Sequence, residues 1–237
     1  MTTPEIFWFE DNQSLTETLA ERLASDLRQA IRQQGQATLL VSGGRSPVPL
    51  FANLSQAEID WSNVTISLVD ERWVDETDAS SNAALVRQHL LVNRAAAASF
   101  IPLYTGAASP REGEQALAET MNRLRLPFTA VILGMGDDGH TASLFPASEQ
   151  LKAGLALGLK REDTPPCLAQ TGATSPTERM SFTLPWLLDA ERIYLQFGGA
   201  GKAAVFERAM QAATDELPVS HVLHQSQTPV MVYASRA

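Results

Sequence analysis

A carboxylate and an imidazole are placed two residues apart on a glycine-rich turn, in the segment Asp138-Gly139-His140. Histidine ordinarily titrates at about pH 6.5, so its side chain can take a proton from water and return it at neutral pH. In an isolated Asp-x-His segment the alternative is structural, an aspartate that caps a helix beside a hydrogen-bonded histidine. This turn lies between two other glycine-rich turns that could bind phosphate. That position favours catalysis by His140, with Asp138 beside it.

A second candidate group, Asp70-Glu71-Arg72-Trp73, directly follows the apolar run Val64–Val69. The guanidinium of Arg72 can bind a carboxylate, a phosphate or a developing oxyanion through two parallel hydrogen bonds. An ion pair between Arg72 and a neighbouring acid is about as compatible with the sequence. Because the group follows a predicted strand, Asp70 and Arg72 are both candidates for a site at the sheet edge.

Three glycine-rich turns each follow an apolar run: Ser42–Ser46, Gly134–His140 and Gly198–Lys202. Glycine lets backbone amides face a ligand without a side chain in the way, and a helix N-terminus adds partial positive charge. In open α/β sheets, ligands bind beyond the carboxyl ends of the strands, where these turns are expected. Any one turn could be a simple tight loop, but three at one edge indicate an anion-binding cleft. Lys202, in the first turn of its helix, could contact a phosphate oxygen.

Two segments partly match nucleotide-binding motifs, but neither fulfils one, and the serine-hydrolase motif does not occur. The segment Gly134–Gly139 matches G-x-G-x-x-G, yet its two aspartates would repel a pyrophosphate, and Pro146 interrupts the long helix that should follow. The segment Gly198–Lys202 is not a Walker loop, because Gln196 stands where the first glycine is required. No G-x-S-x-G elbow occurs in the chain. Dinucleotide binding and serine-hydrolase chemistry are therefore disfavoured.

A metal site is conceivable but weakly supported. Asp137, Asp138 and His140 offer ligand atoms that a hard cation would accept, but the sequence supplies no clear further ligand. The single cysteine, Cys167, excludes an internal disulfide framework and any zinc site built from several cysteines. No metal is predicted.

The elements that must position these groups alternate along the chain between helices and short apolar strands. Ser14 and Glu17 have the spacing of a helix capping box, and leucines then recur at every fourth residue up to Gly35. Helices are predicted over 14–35, 82–91, 111–126 and 202–213, and strands over 37–41, 64–69, 100–103, 130–133, 192–197 and 229–233.

This alternation predicts an α/β fold, with a Rossmann-like, open and mainly parallel sheet that carries helices on both faces. The strand at 229–233 is expected to close the sheet. The stretch 145–177 is richer in proline, glycine and polar residues and is predicted to be irregular. A single domain over residues 1–237 accommodates all of these elements.

Composition narrows the classes of partner. The chain has 237 residues, of which 44% are hydrophobic, and its 27 acidic residues outweigh 18 Lys and Arg to give a net charge of −9. So acidic a chain, with no basic cluster, is a poor candidate for binding nucleic acid, whereas a few placed cations can still bind a small anion. No stretch approaches a membrane-spanning length of apolar residues, and residues 1–10 do not resemble a signal peptide. A soluble, cytoplasmic protein is predicted.

Taken together, these motifs make the sequence similar, nearly end to end, to the 6-phosphogluconolactonases of the glucosamine-6-phosphate isomerase/deaminase superfamily. The most distinctive match is the run Gly134-Met-Gly-Asp-Asp-Gly-His-Thr-Ala-Ser-Leu-Phe-Pro146. One departure is Arg45, where much of the family has serine or threonine, and this could alter phosphate contacts. The other matching segments are Val41–Pro47, Val69–Val74, Ser81–Asn82, Arg179–Pro185 and Gly198–Lys202.

The resemblance implies hydrolysis of 6-phospho-D-glucono-1,5-lactone to 6-phosphogluconate, in the oxidative pentose phosphate pathway and without a cofactor. It makes His140 the expected general base, which activates a water molecule for attack on the lactone carbonyl. Arg72 is expected to offset charge on the oxyanion. Asp138 or Asp70 would orient the imidazole or fix a sugar hydroxyl, and the sequence does not divide these roles between them. The residues expected to bind the substrate, mainly at its phosphate, are Gly43, Gly44, Arg45, Ser46, Gly136, Arg179 and Lys202.

Two alternatives stay open. Glucosamine-6-phosphate deaminases share the Asp-Gly-His turn, but continue into an Asn-Glu-Pro segment whose glutamate assists the histidine; this chain has Leu144-Phe145-Pro146 there. A non-catalytic sugar-phosphate-sensing domain would leave His140 and Lys202 without a purpose. The sequence is compatible with a monomer or a homodimer.

Overall fold

A seven-stranded parallel sheet forms the centre of the computed structural model, which describes residues 3–236. Its strand order is β1-β10-β9-β6-β2-β3-β5, and every neighbouring pair is parallel. Residues 3–236 contain the strands β1 (Glu5–Phe9), β2 (Ala37–Val41), β3 (Val64–Leu68), β4 (Asp70–Arg72), β5 (Ser99–Ile101), β6 (Ala130–Leu133), β7 (Cys167–Thr171), β8 (Glu178–Phe182), β9 (Ile193–Gly198) and β10 (Val230–Ser235).

Helices cover both faces of this sheet, as predicted. Tyr194 and Phe197 lie three residues apart on β9 and therefore point to opposite faces. The Tyr194 hydroxyl donates to Asp26 on α1, whereas the Phe197 ring lies 5.1 Å from that of Phe206 on α7. The helices are α1 (Asn12–Gln34), α2 (Val48–Ser55), α3 (Asn82–His89), α4 (Pro110–Met121), α5 (Leu151–Leu155), α6 (Leu184–Leu187), α7 (Ala200–Ala209) and α8 (Val219–His224), joined by short 3-10 turns at Trp61–Asn63, Asn93–Ala97 and Arg161–Asp163.

A second, antiparallel sheet of order β4-β8-β7 was not predicted. The stretch 145–177 is not wholly irregular, since it contains α5 and β7, and the Asp70–Arg72 group forms a strand of its own. The new sheet joins the main one where the Phe182 amide donates to the Val69 carbonyl at 2.9 Å. Buried side chains from both sheets form one hydrophobic cluster.

Several predicted boundaries are also wrong. Asp11, not Ser14, caps α1, because its side chain accepts from the Ser14 amide at 2.7 Å. The predicted helix 111–126 ends at Met121, and the chain then turns before Pro127. The strand at 229–233 does not close the sheet, because β1 pairs with the outer side of β10.

In the part of the chain that the structure describes, no helix has the length and apolarity needed to cross a bilayer.

Candidate active site

A cleft of about 370 Å³ opens where β2, β6 and β9 end and where β4 and β8 approach them. Parallel strands deliver their carboxyl ends to one edge, so the three glycine turns meet there as predicted. Ten of the eleven site residues predicted from the sequence line this cleft: Gly43, Gly44, Arg45, Ser46, Asp70, Arg72, Gly136, His140, Arg179 and Lys202. The eleventh, Asp138, contacts the cleft through the ring of His140.

His140 and Asp138 form a hydrogen-bonded pair at the end of β6. The His140 Nδ1 atom lies 2.5 Å from Asp138 Oδ1, and the same oxygen accepts from the His140 amide at 3.1 Å. This bond from His140 holds the pKa of Asp138 below its usual range, against the opposing effect of partial burial. With Nδ1 engaged, Nε2 is the ring nitrogen left for a proton transfer in the cleft. The Phe145 ring lies 4.5 Å from the imidazole and bounds it on one side.

The turn that carries this pair depends on glycine at two positions. The Gly136 amide donates to the His140 carbonyl at 2.9 Å, and the Gly139 amide donates to the Gly136 carbonyl at 3.0 Å. Gly139 has φ +79°, a left-handed conformation that favours glycine. A Cβ on Gly136 would lie 2.1 Å from His140 Nδ1 and 2.6 Å from Asp138 Oδ1. The pair can therefore form only over a residue without a side chain.

Asp70 and Arg72 enter the cleft from β4. Asp70 is 8% exposed, and its Oδ2 atom accepts from the Ser143 hydroxyl at 2.5 Å. Arg72 donates through Nη1 to the Ser80 carbonyl. Within residues 3–236 no carboxylate forms an ion pair with Arg72. The ion pair with a neighbouring acid, which was the alternative to ligand binding, is therefore not formed.

Arg179 lies directly opposite Arg72 in the antiparallel pairing of β4 with β8. Its Nε atom donates to the Pro176 carbonyl at 2.8 Å, and its guanidinium lies 5.8 Å from the centre of the Phe145 ring. Burial lowers the pKa of Arg179, and the charge of Arg72 lowers it further. Two like charges in register are unfavourable unless an anion lies between or beside them. The charges of Asp70 and Glu71 act on Arg179 in the opposite direction and partly compensate the pair, and a bound anion would add to that compensation.

Lys202 is the third residue of α7 and lies in its first turn, as predicted. Gly44, with φ +85°, turns the chain after β2, and the exposed Arg45 and Ser46 follow it. The Ser42 hydroxyl is used for contacts within the protein. Its Oγ atom donates to the Ile132 carbonyl at 2.9 Å and accepts from the Gly134 amide at 3.1 Å, so it joins the first turn to the second.

Two buried residues beside the cleft were not predicted as site residues. Glu71 is fully buried and accepts from the amides of Arg72, Asn82 and Ala83 at 2.7, 2.7 and 2.8 Å. Asn82 lines the cleft at the start of α3. Its place in the Ser81-Asn82 match was the only sequence signal for it.

A family comparison agrees with this geometry. The model of the family described as glucosamine-6-phosphate isomerases/6-phosphogluconolactonase matches residues 10–231. The chain belongs to this family. Residues 3–236 hold no cluster of three or more His, Cys, Asp or Glu arranged to bind a metal ion.

Individual members of the glucosamine-6-phosphate isomerase/6-phosphogluconolactonase family are similar over almost the whole chain. A 6-phosphogluconolactonase of Pseudomonas putida is 43% identical over 229 residues, covering 94% of this chain and 89% of its own length. One from Pseudomonas aeruginosa is 46% identical over 198 residues, covering 84% and 81%. A crystal structure of a 6-phosphogluconolactonase from Shewanella baltica OS155 superposes with a TM-score of 0.93 at 38% identity, covering 98% of this chain and 97% of that one.

Proposed function

We propose that this protein hydrolyses 6-phospho-D-glucono-1,5-lactone to 6-phosphogluconate, the second step of the oxidative pentose phosphate pathway. The observation that carries the proposal is the His140–Asp138 pair, 2.5 Å apart, in a cleft that also contains Arg72, Arg179 and Lys202. An ester of an anionic sugar requires a base for water and cations for its phosphate, and this cleft offers both. The names of the similar proteins from both Pseudomonas species support the same activity.

The phosphate of the substrate binds at the end of the cleft formed by the first and third glycine turns. The amides of Gly43 and Gly44, the Ser46 hydroxyl and the Lys202 ammonium act as donors. Arg179 contributes charge to the same anion from β8, and Arg45 and Gly136 complete the binding surface. Small ligand sites of this kind rely on a few convergent polar groups rather than on overall protein charge.

Hydrolysis proceeds by attack of water on the lactone carbonyl. His140 Nε2 takes a proton from the water as its oxygen bonds to the carbonyl carbon, and the resulting imidazolium is stabilised by Asp138. Arg72 offsets the charge that develops on the carbonyl oxygen. When the bond from that carbon to the ring oxygen breaks, the imidazolium returns its proton to the departing oxygen. Asp70, fixed by Ser143, holds a sugar hydroxyl, which leaves Asp138 to orient the imidazole.

Phe145 argues against the deaminase alternative. The deaminase pattern has a glutamate near the histidine at this part of the turn, whereas here the neighbour of the imidazole is an aromatic ring, with its centre 4.5 Å away. A phenyl ring cannot accept or relay a proton. The absence of that carboxylate favours a reaction that needs only one acid–base group.

The test is hydrolysis of freshly generated 6-phosphogluconolactone by wild type, His140→Ala and His224→Ala, with ammonia release from glucosamine 6-phosphate followed in parallel. His224 is a matched control, because its ring nitrogen is occupied by the Ala209 carbonyl at 3.0 Å, outside the cleft. We expect wild type and His224→Ala to hydrolyse the lactone faster than it hydrolyses spontaneously. The enzymatic rate of His140→Ala should be lower by roughly 10²–10⁴-fold.

Three outcomes would contradict parts of this proposal. Saturable binding of a sugar phosphate without faster hydrolysis would indicate a sensor domain. Ammonia release would indicate a deaminase. Full activity in His140→Ala would support the proposed substrate but would exclude His140 as the base.

A further inference from the structure

Asn82 lies where three parts of the active site meet: the end of β4, the start of α3 and the turn that follows β2. Its side chain is 2% exposed. The Nδ2 atom donates to the Asp70 carbonyl at 2.9 Å, and the backbone amide donates to Glu71 Oε1 at 2.7 Å. Asn82 is therefore fixed from the β4 side by both its side chain and its backbone.

The other end of the carboxamide points at the glycine turn. Asn82 Oδ1 is buried and has no hydrogen-bond partner among the described residues. Rotating the amide by half a turn would not help, because the Asp70 carbonyl can only accept and so requires Nδ2. The buried oxygen consequently faces Gly43, at a cost in stability that an apolar side chain would avoid.

Gly43 and Gly44 are required for different physical reasons. Gly44 has φ +85°, and a Cβ there would meet nothing within 4 Å, so its requirement comes from the backbone. Gly43 does not have a positive φ, so its backbone admits any residue. A Cβ on Gly43 would instead lie 1.9 Å from Asn82 Oδ1, 2.0 Å from its Cγ and 2.5 Å from its Nδ2. Gly43 is thus packed directly on the Asn82 carboxamide.

We propose that Asn82 is a positioning residue that holds the Gly43–Gly44 turn at a fixed distance from β4, and so sets the geometry with which that turn binds the substrate phosphate. This inference rests on the proposed function for the position of the phosphate. Asn82 acts through the turn and does not touch the reacting atoms. Its loss should therefore weaken phosphate binding while leaving proton transfer at His140 largely intact.

The first measurement is the dissociation constant of 6-phosphogluconate by calorimetry, with inorganic phosphate as a second probe. Asn82→Ala should bind 6-phosphogluconate roughly fivefold more weakly, because the glycine turn loses the side chain on which Gly43 packs and its position becomes less well defined. Its KM for the lactone should rise by a similar factor, while kcat changes less than twofold. Asn63→Ala is the matched control, because Asn63 is exposed, does not line the cleft and donates through Nδ2 to Asp60 Oδ2 at 2.8 Å.

A double-mutant cycle separates positioning from general stability. Gly43→Ala should weaken 6-phosphogluconate binding by roughly tenfold or more, because its Cβ collides with Asn82. The three nearest atoms in that collision are all removed by Asn82→Ala. The double variant should therefore bind 6-phosphogluconate at least roughly threefold more tightly than Gly43→Ala alone. Such coupling is expected only for residues in contact.

Three results would overturn the inference. The first is an unchanged dissociation constant in Asn82→Ala with only a lower melting temperature, which would indicate a purely structural role. The second is a double variant that binds no better than Gly43→Ala. The third is no measurable binding of 6-phosphogluconate by wild type, which would also mean that this turn is not a phosphate-binding site. Lactone hydrolysis is assayed separately, so normal binding without hydrolysis would contradict the proposed function alone.

Discussion

Gly136 illustrates how a single residue without a side chain can determine whether the proposed catalytic pair forms. Its Cα lies under the contact between His140 and Asp138, and any Cβ would occupy the space of that contact. Gly134, two residues earlier in the same turn, lines the cleft, and a Cβ there would meet no protein atom within 4 Å. Neither glycine has a positive φ, so both accept alanine as far as the backbone is concerned.

Gly136→Ala should therefore behave like a substitution within the pair, whereas Gly134→Ala should not. We expect kcat of Gly136→Ala to fall by roughly 10²-fold or more, because the imidazole is displaced from its aspartate. Gly134→Ala should retain kcat within about threefold, since nothing obstructs its methyl group. Steady-state kinetics on both variants, with melting temperatures, provide the measurement. Equal losses in both would show that the turn as a whole, rather than the His140–Asp138 contact, is sensitive.

At the scale of secondary structure, Glu71 joins β4 to the start of α3. Its carboxylate accepts from backbone amides of both elements, which also satisfies two amides in the first turn of the helix. Burial away from water raises the pKa of Glu71 from its ordinary 4.5 to about 7, although these three hydrogen bonds oppose the shift. The folded protein consequently holds this proton over a pH range in which the unfolded chain has lost it.

This difference predicts a pH-dependent stability. Because the folded state binds the extra proton, the free energy of unfolding should fall as pH rises from about 4.5 to about 7. Glu71→Gln removes the titrating group. Between pH 5 and pH 8 the stability of wild type should fall relative to Glu71→Gln by roughly 2–3 kcal/mol. Urea unfolding of both proteins at the two pH values measures this. The same pH dependence in both would exclude Glu71 as its source.

The same elements show how far the sequence could be interpreted. The glycine turns were predicted correctly because apolar runs such as Ala37–Val41 and Ala130–Leu133 mark buried parallel strands, whose carboxyl ends share one edge. The β4-β8-β7 sheet was missed because β4 has only the three residues Asp-Glu-Arg, without an apolar alternation. Its partner β8 follows more than a hundred positions later, at 178–182.

The position of a residue after a strand also explains which site residues could be predicted from the sequence. Residues without that signal were missed. Residues that follow strands, such as His140 and Lys202, are identified by chemistry and position together. Glu71 and Asn82 act through burial and through contacts with backbone atoms of other elements, which depend on the unpredicted pairing of β4. Nothing in the type or spacing of those two residues reports such contacts.

For the whole molecule, the overall charge and the charge of the cleft have opposite signs. The chain carries a net charge of −9, yet four cationic side chains line the cleft: Arg45, Arg72, Arg179 and Lys202. A local field set by nearby cations can attract a small anion even when the protein as a whole repels it. A polyanion that spans a large surface has no such local advantage, consistent with a small phosphorylated substrate.

The two sheets share one hydrophobic core, and this leads to a prediction about folding. Phe182, at the end of β8, is fully buried, and its ring lies 5.9 Å from that of Phe128, which precedes β6. Its amide also donates to the Val69 carbonyl after β3. We propose that residues 1–237 form a single domain, so the chain should unfold in one cooperative transition. Tryptophan fluorescence and far-ultraviolet circular dichroism should then give coincident urea curves.

Phe182→Ala provides the sharper form of this prediction. Deleting a fully buried phenyl ring should lower the free energy of unfolding by about 3–5 kcal/mol. If the sheets form one unit, the whole transition moves to lower urea, and the fluorescence and dichroism curves still coincide. If the small sheet is independent, the two curves separate, because two of the four tryptophans, Trp73 and Trp186, flank that sheet, whereas most helical signal comes from elements such as α1. Separation of the two curves would divide the chain into two domains.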